Sequence, residues 1–216
     1  MVREDARLEA RQAGFLAYLL NEAPTPAFVE RMRGNMAKWE RSDSEMPGDM
    51  ARYLRDTADQ PADEVALALS RDWTRLFRGV SSGEGFCLAP PYEACYTGRE
   101  GAGASPRLFL ELQDIYAGLG LACAANGSRP DYVGTLLAFV SLLWEKELDG
   151  ECSLEEAQEI ALLRERFGRE HLQSWVGDFC RQAAPYAQTL FYRGVLEKLA
   201  GFADQGGEEN RKEARL

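Results

Sequence analysis

Signals that start a helix recur along this chain, each ahead of apolar residues at helical spacing. Thr25-Pro26 pairs a capping hydroxyl with a proline at the first helical position. Pro61 opens a second series, Ser105-Pro106 a third and Asp131 a fourth. Ser153-x-x-Glu156 has the form of a capping box. The apolar residues that accompany them include Leu8, Phe15, Leu16, Leu19 and Leu20; Phe28, Val29 and Met32; and Val65, Leu69, Trp73, Leu76 and Phe77. Side chains three and four apart share a helix face, so each series marks one buried stripe. Sheet-forming residues are scarce by comparison: eight Val, two Ile and six Thr stand against 29 Ala and 27 Leu. Ala and Leu lose little on entering a helix and pack poorly as strands. The expectation is an all-α fold, one compact bundle of about eight to ten helices.

A chain of 216 residues can hide about 70% of its extended surface, so its core needs no staples. Residues 1–203 read as one domain, with a hinge near 127–131 between the N- and C-terminal halves. Residues 204–216 read as a polar tail expected to fray. The helix that begins at Pro106 is expected to run to a stop at Asn126-Gly127. The next helix, capped by Asp131, carries Val133, Leu136, Leu137, Val140 and Trp144 on one face and Tyr132, Phe139 and Leu142 on the other. Apolar residues on both faces place it at the centre of the bundle.

Several function classes are excluded or disfavoured. No apolar run reaches the ~20 residues of a membrane span, and Met1–Gln12 lacks an apolar signal core, which suggests a cytoplasmic protein. A net charge of −10 disfavours nucleic acid as a partner and favours a cationic one. The five cysteines are widely spaced with no Cys-x-x-Cys, as for reduced thiols. His171 is the only histidine, which rules out any site needing two imidazoles; it reads as a surface or helix-end residue. No P-loop, nucleophile elbow or dinucleotide fingerprint occurs. No catalytic residue, metal site or cofactor is therefore expected.

Two constellations admit more than a structural reading. Trp73, Leu76 and Phe77 lie shortly before Pro90-Pro91-Tyr92-Glu93-x-x-Tyr96. Adjacent prolines hold an extended backbone flanked by aromatic rings. Such a segment either wraps onto the core or walls a groove for an apolar peptide. Pro130-Asp131-Tyr132 is either an N-cap for the helix that follows or part of a binding hinge.

Taken in order, these segments resemble the TorD/DmsD/NarJ family of molybdoenzyme maturation chaperones. The resemblance continues in Glu145-x-Glu147, in His171-x-x-x-Trp175, and in Phe179 and Phe191-Tyr192. It covers roughly residues 10 to 203. It implies an all-helical, non-catalytic protein that binds the twin-arginine signal peptide of a molybdopterin-dependent oxidoreductase. Such a chaperone holds the apoenzyme until its cofactor is inserted and delays its export by the Tat pathway. The resemblance implies a groove with Trp73, Leu76 and Phe77 as one wall, Pro90, Pro91, Tyr92, Glu93 and Tyr96 as the adjacent loop, and Pro130, Asp131 and Tyr132 opposite. Glu93 and Asp131 would accept the leader's guanidinium groups. The family hinge often reads Glu-x-Pro-Asp-His; Ser128 and Tyr132 here replace the acid and the histidine. Some relatives imply a domain-swapped dimer, while a monomer is equally compatible with the sequence. The alternative reading is an all-helical adaptor that binds an internal segment of a redox enzyme.

Overall fold

The structure, a computed structural model, describes residues 2–39, 46, 48–78, 89–97, 105–121, 129–149 and 152–213. The loop expected at Gly79–Gly85, the interior of the loop Thr97–Ser105, and Asn126, Gly127 and Ser128 lie outside the described residues. The fold is all-helical. The α-helices are α1 (Val2–Asn21), α2 (Pro26–Trp39), α3 (Gly48–Asp56), α4 (Ala62–Phe77), α5 (Pro106–Gly118), α6 (Val133–Leu148), α7 (Leu154–Gly168), α8 (Val176–Ala183) and α9 (Leu190–Glu213). α9 continues through most of the segment read as a tail. Among the described residues there is no strand, and no helix is long and apolar enough to cross a membrane.

Most of the helix starts form as the sequence predicts. The Thr25 hydroxyl accepts the Phe28 N–H at 3.2 Å, and the Ser105 hydroxyl accepts the Leu108 N–H at 3.3 Å. Ser153 and Glu156 close a reciprocal capping box at 3.2 and 2.9 Å. One stop differs. α5 ends at Gly118, because Gly120 adopts φ +72° and turns the chain. The Leu121 N–H then reaches the Tyr116 carbonyl and the Gly120 N–H that of Ala117, the two bonds of a Schellman turn. Glycine enters this left-handed region without a Cβ penalty, so the stop falls there and not at Asn126-Gly127.

The chain divides into two units. The first unit contains residues 1–21, 92–178 and 202–216. α6 is its centre: Val133, Leu136, Leu137, Phe139, Val140, Leu143 and Trp144 are buried, while Ala138 and Glu145 on its remaining face are exposed. α1 lies along α6, and α7 packs beside it. The α1–α6 contact is tied at one end: the Tyr132 hydroxyl donates to the Leu20 carbonyl at 2.6 Å, and the Asn21 amide to the Gly134 carbonyl at 2.9 Å. A Cβ on Gly134 would sit 2.6 Å from the Asn21 side-chain oxygen and 2.6 Å from the Tyr132 ring. Gly134→Ala is therefore expected to destabilise the protein by about 1–3 kcal/mol through overpacking, despite alanine's better helix propensity. Thermal denaturation followed by circular dichroism checks this; an unchanged or raised Tm would contradict it.

The second unit contains residues 22–91 and 179–201. α2 packs on α3 and α4. Phe191 meets Phe28 and Tyr53 edge-on, at 5.9 and 6.2 Å between ring centres. The unit has a polar latch. Asp72, on α4, is buried and accepts the Thr189 N–H at 2.8 Å, the Thr189 hydroxyl at 2.7 Å and the Gln188 N–H at 3.1 Å. These donors sit at the start of α9, where backbone N–H groups have no intrahelical acceptor.

Candidate functional site

The prolines that stood out in the sequence lead into the one β-like contact of the described residues. Tyr92 pairs antiparallel with Tyr132, and their rings lie 5.8 Å apart. Beside this bridge the Glu93 N–H donates to the Asp131 carbonyl at 3.0 Å, and the Tyr116 hydroxyl holds the Pro130 carbonyl at 2.9 Å. Two extended segments are thereby fixed against each other. Each has its proline just ahead of the paired residues, where no ladder N–H is needed.

Asp131 does not cap α6. The cap position belongs to Tyr132, whose side chain makes no capping bond. The Asp131 carboxylate, 0% exposed, turns instead to the 3-10 turn Glu93–Cys95 and accepts the Ala94 N–H at 3.2 Å. Its two oxygens also accept a fork from Arg129, Nε to Oδ1 and Nη2 to Oδ2, both at 2.9 Å. The guanidinium lies over the Tyr92 ring at 4.2 Å and near the Phe109 ring at 5.0 Å. Burial works against the Arg129 charge, but the bond to Asp131 and its charge outweigh it and raise the guanidinium pKa. Paired charge and stacked aromatic faces are the setting in which arginine, and not lysine, is held well.

Glu93 is also buried, at 3% exposure, and also paired. Both its oxygens lie 3.1 Å from His171 Nδ1. Burial pushes the Glu93 carboxyl above its ordinary pKa, while the hydrogen bond and charge of His171 pull it back. His171, expected at the surface or at a helix end, is at the end of α7 and buried. It sits in a π-helical turn, Arg169–Gln173, 3% exposed, with its ring 4.7 Å from that of Phe167. Its carbonyl accepts the Trp175 indole N–H at 2.6 Å, and Trp175 stacks on Tyr96 at 5.3 Å. Next to this cluster opens a cleft of about 790 Å³, bordered by Glu93, Thr97, Arg107, Glu111, Glu170 and His171.

The residues expected to form the groove fall into two sets. Tyr92, Glu93, Tyr96, Pro130, Asp131 and Tyr132 belong to the first unit, and the contacts above bring them together. Trp73, Leu76, Phe77, Pro90 and Pro91 belong to the second. There Trp73, Leu76 and Phe77 are buried; Phe77 packs against Tyr192 at 5.6 Å and Phe179 at 6.3 Å. As they stand these three are core residues, which is where large apolar side chains on one helix face go. Nor do Glu93 and Asp131 stand open as acceptors. An ionised carboxylate this deep must be paired, and each has found a partner within the chain.

Sequence reading missed Arg129 and His171. Arg129-x-Asp131 offered a local pairing, and Phe167, His171 and Trp175 recur every four residues, the spacing of one helix face. Of the donors to Asp72 only Arg75 is local; Gln188 and Thr189, which make it a latch, lie more than a hundred positions away.

A search of curated proteins finds no match. The family described as nitrate reductase delta subunit matches residues 41–181, a span that includes the Tyr92–Tyr132 bridge, both buried acids and His171. That match supports the general function of a molybdoenzyme maturation chaperone working with a catalytic subunit. The chain belongs to the nitrate reductase delta subunit family, within the TorD/NarJ redox-enzyme maturation proteins.

Proposed function

We propose that this protein is a cytoplasmic chaperone that binds the twin-arginine leader of a molybdopterin-dependent catalytic subunit. By covering the leader it delays Tat export until the cofactor is in place. The observation that carries this reading is the Arg129 fork. Asp131 and Tyr92 already hold one guanidinium, with both carboxylate oxygens engaged and an aromatic face beneath. A leader arginine needs that same setting, and it can take it by exchange with Arg129. Arg129 is part exposed and so can swing to water when displaced. The net charge of −10 speeds encounter with a cationic segment. The leader's apolar stretch adds about 25 cal/mol for each Å² it removes from water, before ordering costs. The activity is binding, with no bond made or broken.

Fluorescence anisotropy with a labelled leader peptide tests the reading. An Arg-Arg leader is expected to bind with a Kd in the micromolar range or below, and a Lys-Lys leader about tenfold more weakly, since lysine cannot fork onto a carboxylate. Arg129→Met is expected to tighten the Arg-Arg leader by removing the internal competitor. Equal affinity for the two leaders would refute guanidinium recognition here.

A further inference from the structure

We propose that Glu111, Glu170 and His171 bind a divalent transition-metal ion, zinc(II) above all, at the edge of the cleft. This goes beyond leader binding and does not depend on it. A ring nitrogen of His171 and one carboxylate oxygen from each glutamate lie within 4.8 Å of one another. A borderline cation such as zinc takes this donor set of imidazole nitrogen and carboxylate oxygen.

The second, independent observation is the state of His171. Its Nδ1 stands 3.1 Å from both oxygens of Glu93, the arrangement of one N–H shared by an ionised carboxylate. With Glu93 ionised, Nδ1 carries the proton and the lone pair falls on Nε2. Nε2 is buried and has no hydrogen-bond partner among the described residues. Buried polar atoms are rarely left so, and His171 lines the cleft, so a cation held there would give this nitrogen a partner. A carboxylate on one ring nitrogen, with the other left for the ion, is the arrangement by which a second carboxylate orients a metal-binding histidine.

The distances allow closure. Ligands about 2.0–2.1 Å from a tetrahedral ion lie roughly 3.3 Å from one another. Glu111 and Glu170 are both exposed, so the movement needed is rotation of two exposed side chains toward a buried imidazole. Water completes the coordination sphere, as three protein donors leave one position of a tetrahedron open.

The test uses the full chain after chelator treatment and desalting. Because His171 is the only histidine, a nitrogen-15 imidazole spectrum reports on it alone. Zinc titration is expected to shift its Nε2 resonance with saturation at one equivalent and a Kd in the micromolar range or below. Cobalt(II) in place of zinc is expected to give a spectrum without a thiolate-to-metal band, which separates this site from the cysteines. Glu111→Gln with Glu170→Gln, both at exposed positions, is expected to keep far-ultraviolet helicity and weaken zinc at least tenfold. An Nε2 resonance that zinc leaves unmoved, a cobalt thiolate band at one equivalent, or undiminished affinity in the double variant would each overturn the proposal. Leader affinity is read separately, so failure here leaves the leader reading untouched, and the reverse holds too.

Discussion

Asp72→Ala is expected to lower the free energy of unfolding by about 3–5 kcal/mol, a third or more of what a domain of this kind has. Asp72 is 1% exposed and accepts the Gln188 and Thr189 N–H groups, the Thr189 hydroxyl and Arg75. Alanine leaves the two backbone donors at the entry to α9 without an acceptor. Arg75 is about a third exposed, at 34%, and can turn to water, so little of the loss comes from the ion pair. Most comes from the orphaned amides and the charge-assisted bonds they made. Two further variants separate these contributions. Asp72→Asn retains an acceptor oxygen and is expected to cost about 1–3 kcal/mol, whereas Arg75→Ala costs under about 1 kcal/mol. Urea denaturation measures all three. A loss below about 1 kcal/mol for Asp72→Ala would show that the latch does not hold α9.

Local and non-local information explain what the sequence disclosed. The capping hydroxyls of Thr25, Ser105 and Ser153 act within three residues, so spacing alone revealed them. The burial of α6 was legible because both its faces are apolar. Gly120 was missed because Asn126-Gly127 carries the stronger stop chemistry a few residues later. Tyr92, Glu93 and Asp131 stood out in the sequence and lie together in the structure, yet their partners did not stand out: His171 is 78 positions from Glu93, and Ala94 is 37 from Asp131. Nothing local ties such pairs together. Burial of Leu76 and Phe77 was read two ways from the sequence, since a core stripe and a groove wall have the same composition. Only packing against Phe179 and Tyr192 distinguishes them.

Asp131 is the residue where stability and recognition meet, and two substitutions at it are expected to part them. Asp131→Ala removes the acceptor of the Ala94 N–H and the partner of Arg129 together. It is expected to cost about 2–4 kcal/mol, chiefly the orphaned Ala94 amide and the lost charge-assisted bonds, since Arg129 can turn to water. Asp131→Asn keeps the volume and an oxygen for Ala94 but cannot offer two anionic oxygens to a fork. It is expected to stay folded, with a loss of about 1–3 kcal/mol, and to bind an Arg-Arg leader about tenfold more weakly. A cycle with Arg129→Met sharpens the distinction. If Arg129 and a leader arginine compete for one carboxylate, Arg129→Met tightens the leader only while Asp131 is present, so its effect vanishes in the Asp131→Asn background. Urea midpoints for the four proteins give the stability coupling, and anisotropy at a temperature where all are folded gives the binding coupling. Asp131→Asn that folds and binds the Arg-Arg leader as tightly as the parent would remove Asp131 from recognition and leave it a purely structural acid.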